Sequence, residues 1–131
     1  MGGLDDLKIY QLSADLEMEV HEITKQFPVE EKYRSVDQVR RSASSTRSNI
    51  AEGYTRYAYG DKIHQLHIAR AEAEETKRHL EMARKKNFAN ADKVNRIIDG
   101  YTDLHKGING YVRFLRKQSV INKLIPKPLS T

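Results

Sequence analysis

Apolar residues recur every three or four positions along four long segments of the chain, which is the spacing of one face of an α-helix. The first segment begins near Asp6 and ends at Pro28, and acidic residues fall on its polar side. No stretch alternates apolar and polar residues as a half-buried β-strand does, so the pattern predicts an all-α protein. The apolar positions of the first segment are Ile9, Leu12, Leu16, Val20, Ile23 and Phe27.

The second segment combines arginines with an unusual density of small residues. Ser35 and Gln38 have the spacing of a capping box, which predicts that the helix begins there. The run SASSTRSN has weak helix propensity, so we expect packing against neighbours to hold it helical. Gly53 is expected to mark the end of the helix or a loosened last turn. The expected buried positions are Val36, Val39, Ala43, Thr46, Ile50 and Tyr54.

The third helix is expected to start with Asp61 as its N-cap and to continue to about Lys86. The sequence of residues 87–90 predicts a turn. The fourth helix follows it and is expected to end near Ser119. Four long helices with short connections predict an antiparallel up-down-up-down four-helix bundle in residues 1–119, followed by a basic tail at 120–131. Close packing or local bending is expected at three glycines of the fourth helix, Gly100, Gly107 and Gly110.

The composition fits one globular domain with a reduced cytoplasmic location. The chain has 131 residues, of which 38% are hydrophobic and 31% charged, and it contains no cysteine. No apolar run approaches the length of a membrane span, and the acidic N-terminus does not resemble a signal peptide. We therefore expect a cytoplasmic protein that does not bind membranes. An amphipathic membrane-binding tail remains an alternative for the end of the chain.

The positive charge is concentrated in two regions. Residues 104–131 contain six Lys or Arg and no acid, although the net charge of the whole chain is only +5. A second enrichment lies at residues 32–56, in and before the second helix. Basic patches on an otherwise near-neutral body favour an anionic partner, with a solvated surface and a solubilising tail as the alternative.

The chain resembles the small four-helix bundle proteins encoded in intervening sequences of bacterial 23S ribosomal RNA genes, over roughly residues 7–118. It departs from the family pattern at Thr46, Ala71-Glu72 and Lys77, and its basic C-terminal extension is not a strong family feature. The resemblance rests on Tyr10-Gln11-Leu12, Phe27-Pro28, Glu31, Gln38-Val39-Arg40-Arg41, Ser45, Asn49-Ile50-Ala51-Glu52-Gly53, Arg56, Ile68-Ala69, Glu75 and Leu80.

The resemblance implies a homo-oligomer, with a pentameric ring as the family expectation. It also implies a relation to the accessory proteins of diversity-generating retroelements, which are basic bundles that bind a reverse transcriptase and nucleic acid. The biochemical role of the family is poorly defined, so the resemblance informs the architecture more than the chemistry.

Nucleic-acid binding is the role that we predict for several cations of the second and fourth helices, through contacts with phosphates. An ion pair with Glu52, Glu75 or an acid of another subunit is the preferred interpretation for Arg41. Structural or interface roles are predicted for Arg41, Asn49, Glu52, Gly53 and Tyr54. The predicted nucleic-acid ligands are Arg40, Arg47, Arg56, Arg113, Arg116, Lys117 and Lys123.

Tyr54, Tyr57 and Tyr59 lie near Arg56 and can stack on unpaired bases, although packing at the end of the bundle is the commoner role of such residues. Catalysis is not expected, because no carboxylate has a partner base in a recognisable motif. The chain also lacks the Glu-x-x-His motifs of di-iron bundles. His64 and His67 are interpreted as surface or packed histidines, and neither a metal nor a cofactor is expected.

The sequence therefore predicts a non-enzymatic oligomeric bundle that binds RNA or DNA, with an accessory role beside a reverse transcriptase as one form of that function. The alternative is a structural or protein-interaction scaffold that does not bind nucleic acid.

Overall fold

Four α-helices make up the protein in the computed structural model, which describes residues 2–124. They are α1 (Lys8–Thr24), α2 (Ser35–Thr55), α3 (Tyr59–Lys85) and α4 (Ala91–Leu124). Short 3₁₀ turns at Leu4–Asp6 and Val29–Glu31 precede α1 and α2. The described residues contain no strand, so the predicted all-α class is confirmed. Lys127 and the rest of the predicted tail from residue 125 onward lie outside the described residues.

The helices pack in a closed ring, α1 on α2, α2 on α3, α3 on α4 and α4 on α1. All four contacts are antiparallel. Between α1 and α2, for example, Arg40 contacts Thr24 and Arg47 contacts Glu17, so seven residues forward in α2 correspond to seven residues back in α1. The up-down-up-down bundle is therefore confirmed. None of the described helices combines the length and the apolar character needed to cross a membrane.

The predicted apolar stripes form one central core. Leu12, Tyr54, Ile63 and Ile98 are only half-buried at its edges, whereas Thr46 is fully buried. The largest fully buried apolar and aromatic side chains are Tyr101, Leu16, Ile50, Leu66, Leu80, Leu104, Ile108, Val20, Val39 and Val94.

The small residues of α2 pack against small residues of α3. The Thr76 hydroxyl donates to Ser42 Oγ across this seam at 2.7 Å, and both side chains are buried with Ala43 and Ala73. Burial against α3 thus supplies the stability that the weak helix propensity of α2 lacks.

Gly53 does not end α2, which continues to Thr55. A Cβ added at Gly53 would lie 3.1 Å from the carbonyl oxygen of Lys62 and 3.2 Å from Cβ of Gln65. The absent side chain therefore lets the backbone of α3 approach α2, and the expectation of a helix end was wrong.

Two predicted helix caps were also wrong, although α2 does begin at Ser35 as expected. Ser35 does not cap α2, because its hydroxyl donates to Glu31 Oε1 at 2.7 Å and Arg34 occupies the N-cap position. In α3 the first helical residue is Tyr59, which places Asp61 inside the first turn instead of at the N-cap. An acid in the first turn still complements the helix dipole.

The turn between α3 and α4 has a defined geometry. Asn87 has a φ of 57°, and its N–H donates to Arg84 O while the N–H of Phe88 donates to Ala83 O. This is the Schellman arrangement, in which asparagine tolerates the left-handed conformation. The Asn90 side chain then caps α4 by accepting from the Lys93 N–H at 2.9 Å.

The fourth helix does not end near Ser119 but continues to Leu124. Two of its three glycines face α1 at short range, since an added Cβ would overlap Leu16 at Gly100 and lie 3.0 Å from Ile9 at Gly107. Close packing, the first of the two expected reasons for these glycines, therefore holds at both positions.

Candidate nucleic-acid interface

Side-chain contacts fix how α4 lies beside α3. Four polar pairs follow one antiparallel register along the two helices, from the α3–α4 turn to the other end of the bundle. The contacts are Arg84–Asn95 (2.5 Å), Glu74–His105 (2.9 Å), Arg70–Asn109 (2.6 Å) and Tyr59–Asn122 (2.9 Å). The register places the last turns of α4 beside the first half of α3.

The cations of the last turns of α4 point to solvent. Arg113, Arg116 and Lys117 are exposed on either side of the buried Leu115, and Lys123 is exposed near the end of the helix. No carboxylate among residues 2–124 lies within ion-pair distance of any of the four. Their charge therefore faces solvent unneutralised in this part of the chain.

Three further basic groups of α3 lie beside those of α4. Arg70 is half-buried and donates to Asn109, and no carboxylate of residues 2–124 lies within ion-pair distance of it. The pKa of His67 is lowered, first by burial and then by the nearby charges of Arg70, Arg116 and His64. These charges place Arg70 of α3 and Arg116 of α4 near the same histidine.

We call this surface the α3–α4 basic face. Sequence reasoning weighed His64 and His67 as metal ligands, interpreted them as surface or packed histidines, and did not include Arg70. The available signal was the three-residue spacing of His64, His67 and Arg70, which places them on one side of α3. The residues of the α3–α4 basic face are His64, His67, Arg70, Arg113, Arg116 and Lys117.

The arginines of α2, in contrast, have partners within the chain. Arg40 donates to Thr24 Oγ1 at 2.8 Å and to His21 O at 3.2 Å, at the C-terminal end of α1, where a cation complements the helix dipole. Arg47 forms an ion pair with Glu17 of α1. The pKa of the Arg47 guanidinium is raised, mainly by its hydrogen bond to Glu17 and then by one to Tyr10. These contacts tie α2 to α1.

The other two α2 arginines form ion pairs along the helix surface. Arg41 pairs with Asp37 at 3.1 Å, one turn earlier, and not with Glu52 or Glu75. Arg56 pairs with Glu52 at 2.8 Å. Arg41 is thus in an ion pair, but the expected partners Glu52 and Glu75 were wrong, because Asp37 lies one turn away in the same helix.

Two of the residues to which we assigned structural roles, Asn49 and Tyr54, form hydrogen bonds within the chain. Asn49 donates to the backbone oxygen of Ser45 at 2.8 Å, within α2. Tyr54 reaches the N-terminal segment, where its hydroxyl donates to Gly2 O at 3.1 Å. Lys62 donates to Tyr54 O at 2.8 Å and also lies over the tyrosine ring, 5.8 Å from its centroid. Tyr54 thus joins the end of α2 to α3 and to the chain start.

No group of three or more His, Cys, Asp or Glu side chains in residues 2–124 is placed to hold a metal ion. A groove of about 440 Å³ opens between α1 and α4 and includes Met18, Ile23 and Ile97, with charged residues of both signs at its rim. The pKa of Glu72 is raised, by burial and then by the nearby charge of Glu75.

The comparisons with known proteins agree with this architecture. The family model of the 23S rRNA-intervening sequence protein matches residues 5–110. The chain belongs to this family. The match ends before Arg113, so the α4 half of the basic face lies outside the part that defines membership.

A solved structure from Bacteroides thetaiotaomicron VPI-5482, described as a protein of unknown function from the S23 ribosomal protein family, has a similar fold. The TM-score is 0.74 at 24% sequence identity, over 79% of this chain and 97% of that chain. At this identity the likeness shows the fold alone. None of the curated proteins compared with the chain matches it.

Proposed function

We propose that this family member is a non-enzymatic helical-bundle protein that binds nucleic acid through its α3–α4 basic face. The observation that carries the proposal is the group of exposed cations at Arg113, Arg116 and Lys117, for which residues 2–124 supply no carboxylate partner. Cations with free charge bind phosphates and release the counterions condensed on a nucleic acid.

Two further points support an RNA or DNA partner. Arg70 extends the positive surface from α4 onto α3 beside Asn109, so cations of two helices can contact one sugar-phosphate backbone. The family takes its name from a sequence that interrupts 23S rRNA, which suggests RNA as the first ligand to test. Repetition of the face around a homo-oligomer, such as the pentamer expected from resemblance, would strengthen the field. A reverse transcriptase is the protein partner that the same resemblance suggests.

The internal partners of Arg40, Arg47 and Arg56 make these residues weaker candidates for phosphate contact than the α4 cations. Releasing a guanidinium from a carboxylate or a helix end has a cost that an unpaired cation does not have. Lys123 extends the α4 series and is a further candidate. The paired α2 arginines are the observation that favours the second candidate function, a scaffold without nucleic-acid binding.

The test is a salt titration of binding to a fluorescent single-stranded RNA, using the triple variant R113Q/R116Q/K117Q. Each lost phosphate contact should reduce the slope of log K against log salt by about 0.7, so the triple variant should lose about two units of slope. A matched control, K85Q/K86Q/K93Q, removes the same charge at the opposite end of the bundle and should keep the native slope. Equal losses in the two variants would indicate a nonspecific charge effect.

Native protein without measurable binding at low salt would contradict the proposal and favour the scaffold function. Light scattering on the same samples measures the assembly independently, because neither triple variant alters a buried residue.

A further inference from the structure

The end of the bundle next to the α3–α4 basic face carries a cluster of aromatic rings. Tyr57 lies in the connector between α2 and α3 and is 99% exposed. The Asn122 side chain donates to the Tyr59 hydroxyl, which brings the end of α4 to the same connector. The pKa of Tyr111 is raised by burial and then by its proximity to Tyr54 and Tyr59. Tyrosines from α2, α3 and α4 therefore meet at one end.

Phe114 is the part of this cluster that is held in a fixed orientation. Its ring stacks on Tyr111 with centroids 5.9 Å apart and an interplanar angle of 22°, yet half of its surface remains exposed. The Phe114 ring is therefore open to a partner although Tyr111 lies beside it. Lys117 lies one turn after Phe114 on the same side of α4, and Arg113 precedes Phe114 in the sequence, so two cations lie within one turn of the ring.

The surrounding charge distinguishes between occupants of this surface. A second copy docking by the same end would bring the cations of the two copies close together with no acid of residues 104–124 between them, and like charges at close range oppose such a contact. A single-stranded nucleic acid offers a base for each exposed ring and a phosphate for each neighbouring cation. Stacking requires unpaired bases, because in a duplex both faces of every internal base are already covered.

We propose that this aromatic end selects single-stranded over double-stranded nucleic acid by stacking unpaired bases on Phe114 and Tyr57, while Arg113 and Lys117 bind the flanking phosphates. The inference rests on the proposed function and adds the form of nucleic acid to it. Stacking on these rings favours single strands over duplexes but does not discriminate between base sequences, since every base has an aromatic face.

The experiment compares a single-stranded RNA with a blunt duplex of the same sequence, by fluorescence anisotropy at one salt concentration. Phe114→Leu and Tyr57→Leu keep an apolar side chain but remove the ring, and Phe114→Tyr and Tyr57→Phe keep the ring as matched controls. We expect each leucine variant to bind the single strand about five-fold or more weakly and the duplex with unchanged affinity. The aromatic controls should retain native affinity for both.

Native protein that binds the two RNAs equally, together with leucine variants of native affinity, would overturn the inference and leave the proposed function standing. Absence of salt-dependent binding to either RNA would remove the proposed function itself. Phe114→Leu is also examined by light scattering and with anionic phospholipid vesicles. If the substitution changes the mass of the assembly or vesicle binding but not RNA binding, the aromatic end is a protein or lipid contact and the inference fails.

Discussion

The three glycines of α4 allow packing to be separated from helix propensity within one helix. Alanine at any of them should stabilise the helix by about 1 kcal/mol if nothing else changes. Gly110 is close to this ideal case, because an added Cβ would meet only Arg113 Nη2 at 3.6 Å, the mobile end of an exposed side chain. Gly110→Ala should therefore raise the free energy of unfolding by about 1 kcal/mol.

Gly100→Ala should act in the opposite direction. The added Cβ would overlap Cδ2 of Leu16, a side chain that is only 2% exposed and has little room to move. Overpacking of a core site costs about 1–3 kcal/mol, which exceeds the gain in propensity. We expect the free energy of unfolding of Gly100→Ala to be about 2 kcal/mol lower than that of Gly110→Ala. Gly107→Ala, whose Cβ would lie 3.0 Å from Ile9 Cγ2, should fall between them.

The assay is urea denaturation followed by circular dichroism, at one protein concentration for all variants. The double variant Leu16→Ala/Gly100→Ala identifies the cause, because removing the Leu16 side chain removes the overlap. It should be about 1–3 kcal/mol more stable than the sum of the single effects predicts. Additive effects, or a Gly100→Ala protein as stable as Gly110→Ala, would refute the packing explanation.

Three further predictions concern polar groups inside the bundle. The Tyr101 hydroxyl is buried without a hydrogen-bond partner in residues 2–124, so Tyr101→Phe should raise the free energy of unfolding by about 1 kcal/mol in the same assay. A double-mutant cycle with Glu17→Gln and Arg47→Gln should give a coupling of about 1 kcal/mol, because this pair is about two-thirds buried; zero coupling would remove its role in joining α1 to α2. The pKa of His67 in the folded protein is lowered from 6.5, so its contribution to the free energy of unfolding is complete above pH 6.5 and is lost as the pH falls through the folded-state pKa. His67→Gln should therefore reduce the decrease in the free energy of unfolding that is measured between about pH 7.5 and 5.

The apolar pattern was enough to predict the helices because burial of a continuous stripe dominates the stability of a bundle. The ends of the helices were less predictable, since they depend on competition between single hydrogen bonds. Ser35 has the right spacing for a capping box, but Glu31 lies closer to its hydroxyl once the preceding 3₁₀ turn has formed. Gly53 has a similar ambiguity, because a glycine favours both a helix end and a close helix contact.

The site was predictable only in part, for a related reason. A run without acids in the sequence already indicated that the α4 cations would remain unpaired, and the described residues agree. The pairing of Arg47 with Glu17 joins positions 30 residues apart, which local spacing does not reveal. The addition of His67 and Arg70 to the face likewise depends on the α3–α4 register, which the four polar pairs along these helices define.

The motif that carries the family resemblance is explained by contacts inside the chain. Arg40 holds the end of α1, Asn49 bonds to Ser45 of its own helix, and Gly53 admits the backbone of α3. Each of these residues has a structural reason to be present that requires no ligand. Family membership therefore accounts for the bundle but not for a partner. The cations beginning at Arg113 lie beyond the matched residues and have no carboxylate within ion-pair distance in residues 2–124, so contacts inside the described chain do not account for them as they do for the motif.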